Sequence, residues 1–154
     1  MHQDLIRQLD EAVAEVFAVM LNLNCSPEPG CRCIGSKAHS APRFNASVSF
    51  SGPLEGRCCL ELDQHTAAQF TSNLMGISAS QITPDLCADT TGELCNMIAG
   101  SWKKRHSKDL SGSKLSCPIV TLGQCHHAID NFREAATFLY HFDEHCLTLR
   151  LAFN

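Results

Sequence analysis

No apolar stretch in the sequence comes near the ~20 residues that a membrane-crossing helix requires, so no membrane partner is expected. Basic charge is also short. The 12 Lys and Arg residues stand against 16 Asp and Glu, for a net charge of −4. They are scattered, and the one basic cluster, Lys103 to His106, is too short to track a nucleic-acid backbone, which argues against DNA or RNA as a partner. Met1-His2-Gln3-Asp4 offers no basic segment ahead of an apolar one and leads straight into an amphipathic pattern. A secretory signal is therefore not expected. There is no internal repeat, no low-complexity tract, no phosphate-cradling glycine loop, no Ser/His/Asp set and no carboxylate pair at a readable catalytic spacing. These gaps remove the common nucleotide-binding, triad-hydrolase and glycosidase readings.

What remains is an ordinary globular composition, 44% hydrophobic and 18% charged. A chain of 154 residues suits a single domain spanning 1–154. It should bury roughly 70% of the surface its unfolded form exposes, enough to fold without staples. Cysteine is plentiful at 10 residues. With no secretory signal, the expected compartment is the cytoplasm, where such thiols stay reduced and mostly serve as small buried hydrophobes.

Hydrophobic periodicity predicts a helix over 3–21, with Leu5, Leu9, Ala12, Val13, Val16, Phe17 and Met20 on one stripe. Residues 25–43, with three prolines and little periodicity, read as a loop. Phe44, Ala46, Val48 and Phe50 alternate with polar residues, as do Cys58, Leu60 and Leu62, and Ser51-Gly52-Pro53 turns the chain between them. This pair reads as a β-hairpin. A second helix is predicted over 64–75, with Ala67, Ala68, Phe70 and Leu74 inward and Gly76 as its stop. Thr83-Pro84-Asp85 signals the start of a third, running to Arg105 or His106. After a Ser-Gly-Ser loop at 111–113 come strands over 118–122, 136–142 and 146–153, the last two joined by a turn at Asp143-Glu144. Hairpin-linked strands imply an antiparallel sheet with the helices on one face. The predicted class is α+β, a two-layer domain with long helices packed on an antiparallel sheet, the first and third among them.

On a helical wheel of the third helix, Cys87, Leu94, Ile98 and Trp102 form the buried arc, with Leu86 and Met97 at its edge. Asp89, Glu93, Asn96, Gly100 and Lys103 share another arc, away from the core. Glu93 and Asn96 are three residues apart, and so neighbours about 4.5 Å apart along the axis. Any amphipathic helix has a polar face, but two residues on this one are poor choices for a merely solvated surface. Asn is a mediocre former of helix interiors. Gly100 costs about 1 kcal/mol relative to Ala, and on a solvent face it relieves no internal packing. It does let another molecule approach closely, which marks a docking surface. An Asn amide both donates and accepts hydrogen bonds, so it can hold a water in line with a phosphoryl group without moving a proton.

The run Asp89-Thr90-Thr91-Gly92-Glu93-Leu94-Cys95-Asn96-Met97-Ile98-Ala99-Gly100 resembles the central-helix motif of the CheX and CheC family of chemotaxis phosphatases. That motif is an acid or Ser, three residues, Glu, two residues, Asn, and then a distant Pro. Pro118 supplies the proline, one residue earlier than the usual spacing. The similarity extends to Val16-Phe17-Ala18-Val19-Met20-Leu21, to the hairpin at Phe50-Ser51-Gly52 and Gly56-Arg57, and to Met75-Gly76. It leaves out 25–43 and 124–134. The resemblance implies a phosphatase acting on the aspartyl phosphate of a CheY-type response regulator. Asn96 would orient the attacking water, and Glu93 would meet a lysine of the regulator. Asp89, Gly100 and Lys103 would add partner contacts. The Mg²⁺ of such a reaction belongs to the regulator, so no cofactor or metal is implied for this chain. CheC proteins carry a second Glu-x-x-Asn on the first helix. Here Glu15 is followed by Val16, Phe17 and Ala18, a single-site layout that resembles CheX and, with it, implies a homodimer. The alternative is a module of the same fold that docks a response regulator or flagellar switch protein without catalysis.

Other residues invite metal chemistry. Cys25, Cys31 and Cys33 with His39 lack the paired knuckle of a zinc site and read better as unpaired loop thiols. Cys125-His126-His127 would need a loop to converge on one ion. His145-Cys146 reads as a surface His beside a buried thiol, and Cys58-Cys59 should point to opposite faces of a strand. A metal- or redox-sensing cysteine protein is the third class of function these residues allow.

Overall fold

The computed structural model describes residues 3–33, 43–106, 112–123 and 132–154, with the backbone alone described over 26–33. Among them run α1 (Gln3–Leu21), β1 (Ser26–Cys33), β2 (Arg43–Ser51), β3 (Gly56–Asp63), α2 (Gln64–Met75), α3 (Pro84–Arg105), β4 (Lys114–Leu115), β5 (Ile119–Gly123), β6 (Glu134–Phe142) and β7 (His145–Phe153). The strands form one sheet in the order β1-β6-β7-β3-β2-β4, and β5 also pairs with β2. Every pairing is antiparallel. The class is α+β, as the hairpin signals predict.

Strand alternation decides which face the helices cover. Phe44, Ala46, Val48 and Phe50 of β2 lie opposite Leu62, Leu60, Cys58 and Gly56 of β3. All four β2 residues are buried, and Phe50 meets Trp102 of α3 at a ring separation of 5.4 Å. Phe153 of β7 stacks on the same Trp102 at 5.5 Å, while Phe142 of β6 meets Phe17 of α1 and Phe70 of α2. The core therefore lies between this sheet face and all three helices. The other face carries Arg43, Asn45, Glu61, Thr148 and Arg150. Glu61 and Arg150 form an ion pair there, 3.0 Å apart and almost fully buried.

Helix ends follow local chemistry. Asp63 closes β3 and caps α2, its carboxylate accepting from Thr66 N at 2.7 Å. Gly76 ends α2 at φ 65°, the left-handed conformation that glycine adopts without strain. Thr83 caps α3 through Leu86 N at 3.3 Å, just ahead of Pro84.

Three expectations change. The loop expected over 25–43 contains β1 at Ser26–Cys33, which pairs with β6 at one sheet edge. An edge strand leaves one side of its backbone unpaired, so Pro27 and Pro29 are tolerated, and the register shifts between Pro27 and Arg32. The loop after α3 leads into a further short strand, β4, which pairs with the far end of β2. At the β7 start, His145 and Cys146 are both partly buried, with His145 Nδ1 3.2 Å from Thr66 Oγ1. Cys58 is buried and Cys59 only partly so, as their alternation predicts. Among the described residues, Cys25, Cys58, Cys59, Cys87, Cys95, Cys117 and Cys146 form no disulfide. His39, Cys125, His126 and His127 lie outside the described residues, as do the side chains of Cys31 and Cys33. No described helix is long and apolar enough to cross a membrane.

Candidate docking ridge on the central helix

The middle helix α3 rests on β2 and β3 and is walled on both flanks. Its buried residues are Cys87, Thr90, Thr91, Gly92, Leu94, Cys95, Ile98, Ala99 and Trp102, a wider arc than a helix lying on a flat sheet would show. Cys95 shows how close the fit is. Its thiol lies 3.6 Å from both the Ala46 and the Cys58 carbonyl oxygens, on two neighbouring strands. Contact with Cys95 and full burial push the Cys58 thiol well above its ordinary pKa. This suits an inert packing group.

One flank of α3 is the β4–β5 edge. A Cβ on Gly92 would come within 2.9 Å of Val120 Cγ2 and 3.5 Å of Pro118 Cβ. Gly92 is therefore the residue that lets this edge seat against the helix. The other flank is α1. Ser101 Oγ donates to Glu15 Oε2 at 2.7 Å, and Arg105 Nη1 reaches the same oxygen at 2.7 Å. These two partners hold the Glu15 carboxyl below its ordinary range. Arg105 Nε also approaches Glu11 at 3.7 Å. Trp102 Nε1 completes the contact by donating to the Leu5 carbonyl at 3.2 Å.

Between these walls stands the strip read from the helical wheel. Asp89 and Glu93 are exposed, and Asn96, Gly100 and Lys103 are partly buried. The successive spacings of four, three, four and three residues put all five on one ridge. Among the described residues, no hydrogen bond or ion pair engages the side chains of Asp89, Glu93, Asn96 or Lys103. The Asn96 amide keeps its donors and acceptor for an outside molecule. Gly100 is open, since an added Cβ would meet only Leu115 Cδ1, at 4.0 Å. The wheel locates this strip correctly. It does not reveal Gly92 as the seat of β5 or Glu15 as a tie to α3. A glycine immediately before the exposed Glu93 was the available signal for the first. The second depends on how two helices cross, which periodicity does not encode.

The family model for the chemotaxis phosphatase CheX matches residues 44–143, a span that contains the whole ridge and Pro118. The chain belongs to the CheX family. Solved structures agree on the fold. The chemotaxis protein CheX from Vibrio vulnificus is 16% identical, with 98% of this chain and 97% of that one covered and a TM-score of 0.77. A CheC-like superfamily protein from a Shewanella species is 20% identical, over 100% and 99% of the two chains, with a TM-score of 0.76. The CheX–CheY–BeF3–Mg²⁺ complex from Borrelia burgdorferi matches at 19% identity, over 99% of both chains, with a TM-score of 0.72. No curated protein matches the chain.

Proposed function

We propose that this CheX-family protein hydrolyses the aspartyl phosphate of a CheY-type response regulator. The observation that carries the reading is the Asn96 amide. It is partly exposed, free of partners among the described residues, and one helical step from the exposed Glu93. The ridge would enter the regulator's active site. The Asn96 side-chain carbonyl accepts a hydrogen bond from a water and its NH₂ group steadies the phosphoryl oxygens, so that the water lies in line with phosphorus. The water oxygen bonds to phosphorus as the bond to the aspartate oxygen breaks. Inorganic phosphate and a free carboxylate result. Glu93 pairs with a lysine of the regulator. Asp89, Gly100 and Lys103 contact the regulator around that centre. The Mg²⁺ that neutralises phosphoryl charge is the regulator's, and this chain contributes no metal ligand or cofactor. The Borrelia burgdorferi relative, which was crystallised with CheY, BeF3 and Mg²⁺, supports this choice of partner.

By the same family analogy we propose a cytoplasmic homodimer, and light scattering at micromolar concentration tests the mass. The test of function is single-turnover dephosphorylation of a phosphorylated CheY-type receiver domain at saturating enzyme. Asn96→Ala and Glu93→Ala are compared with the parent, and circular dichroism serves as the folding control. A folded Asn96→Ala protein that retains full turnover would sink the catalytic role. If the parent binds the receiver without accelerating phosphate loss, non-catalytic docking takes its place.

A further inference from the structure

We infer that Val19 and Leu122, one on each side of the ridge, are apolar contacts for the receiver domain; this rests on the function proposed above. Among the described residues the large hydrophobic side chains left exposed are Val19 at 74%, Met75 at 48%, Ile119 at 66% and Leu122 at 52%. Single exposed apolar residues are common and carry little meaning alone. The position of these two relative to the ridge gives them meaning.

Val19 lies one turn beyond Glu15 on the same face of α1. Glu11 meets Arg105 and Glu15 meets Ser101, so this face of α1 is the one set against α3, and Val19 continues it along the α1 wall of the ridge. On the other flank, Leu115 neighbours Gly100 and Val120 neighbours Gly92, so rising strand numbers follow falling helix numbers. Leu122 is two residues beyond Val120 and shares its sheet face, because their β2 partners Phe44 and Ala46 are both core residues. It therefore stands beside the Asp89 end of the ridge. The two apolar groups lie on opposite flanks of α3, with the acids Asp89 and Glu93 and the amide of Asn96 between them. A partner that fits this surface is cationic at its centre and apolar on both sides. Ile119 points to the opposite face, opposite Ser47, and lies outside the footprint.

The experiment titrates a CheY-type receiver domain activated with beryllofluoride and Mg²⁺ into the full-length protein, with binding followed by calorimetry. Val19→Glu and Leu122→Glu should each weaken binding about tenfold or more, as burial of a leucine-sized contact implies. The added negative charge would strengthen a purely electrostatic attraction to a cationic partner, so a loss of affinity identifies an apolar contact. Val19→Ser and Leu122→Ser should show the same direction without the charge. Ile119→Glu serves as the control on the same strand and should bind like the parent. Parent-like binding by both rim variants overturns the inference while leaving the proposed function intact. Equal loss in Ile119→Glu overturns it as well, as does a Leu122→Glu variant that changes only the mass by light scattering. A parent protein that binds no receiver overturns both the inference and the function beneath it.

Discussion

Asn96 and the two glycines of α3 make predictions that differ in kind. A well-placed hydrogen-bonding group in a transition state is typically worth ~2–4 kcal/mol. Asn96→Ala should therefore slow single-turnover dephosphorylation about 30- to 1000-fold, with a smaller effect on affinity for the receiver. Glu93→Ala should raise the receiver concentration needed as well as lower the rate, because it removes a charge contact. Neither change should unfold the protein, since neither side chain is bonded within the fold among the described residues. The glycines divide on stability. Gly100→Ala introduces a Cβ whose nearest neighbour is 4.0 Å away, so helix propensity prevails and stability should rise by up to about 1 kcal/mol. Gly92→Ala puts its Cβ 2.9 Å from Val120, and overpacking of about 1–3 kcal/mol outweighs the same propensity gain. Denaturant midpoints should move in opposite directions, and a common direction would show that β5 does not rest on Gly92. The wheel found Gly100 because exposure is a matter of period. Gly92 lies only 100° from Glu93 and looks like part of the same polar surface until β5 is set against it.

At the scale of elements, the legible parts were those whose ends have local chemistry. The end of α2 and the start of α3 were read from Gly76, Thr83 and Pro84, while the Asp63 cap of α2 comes from the structure. Asp63→Ala should lower stability by about 1 kcal/mol through loss of its bond to Thr66 N, measurable by urea unfolding. β1 was illegible because its pairing with β6 is non-local, and its prolines argue against a strand anywhere except an edge. The α1–α3 contact was illegible for a related reason. Glu15 sits where a CheC protein would begin a second Glu-x-x-Asn site, yet here its carboxylate is bound to Ser101 and Arg105. Those partners lower its pKa from the ordinary 4.5. A depressed folded-state value means the tie contributes stability above pH 4.5 and loses it as pH falls through the lower folded value. In Glu15→Gln protein the thermal midpoint should fall less steeply below pH 4.5 than in the parent. The difference should be small, because the side chain is largely exposed. Parallel curves for the two proteins would show that the tie is not formed in solution.

At the scale of the whole molecule, the sheet separates two kinds of polar group. On the helix side, beyond the core, are the ridge residues, free to bind. On the other side Glu61 and Arg150 pair at 3.0 Å with almost no exposure. The sequence fixes their face, since both alternate with core residues, but a polar residue on that face would ordinarily be solvated, and nothing local announces that these two are buried. Burial makes the pair sensitive to single changes. Removing Glu61 takes the close counter-charge from Arg150 in a poorly solvated site, and breaking a buried pair in this way typically costs about 3–5 kcal/mol. Arginine cannot escape the penalty by losing its proton, because its pKa exceeds ~12. Glu61→Ala should thus lower unfolding stability by about that amount. Replacing both residues with apolar ones of similar volume should cost much less, because the pair's desolvation penalty goes with it and neither partner is left behind. Neither change reaches the ridge, which lies across the sheet and the helix layer, more than ~10 Å away by ordinary layer spacing. Folded Glu61→Ala protein, assayed well below its melting temperature, should dephosphorylate a receiver domain at the parent rate. A loss of turnover at full helicity would mean that the two faces are coupled through β3 and Cys95, the one α3 side chain whose thiol contacts the carbonyls of β2 and β3.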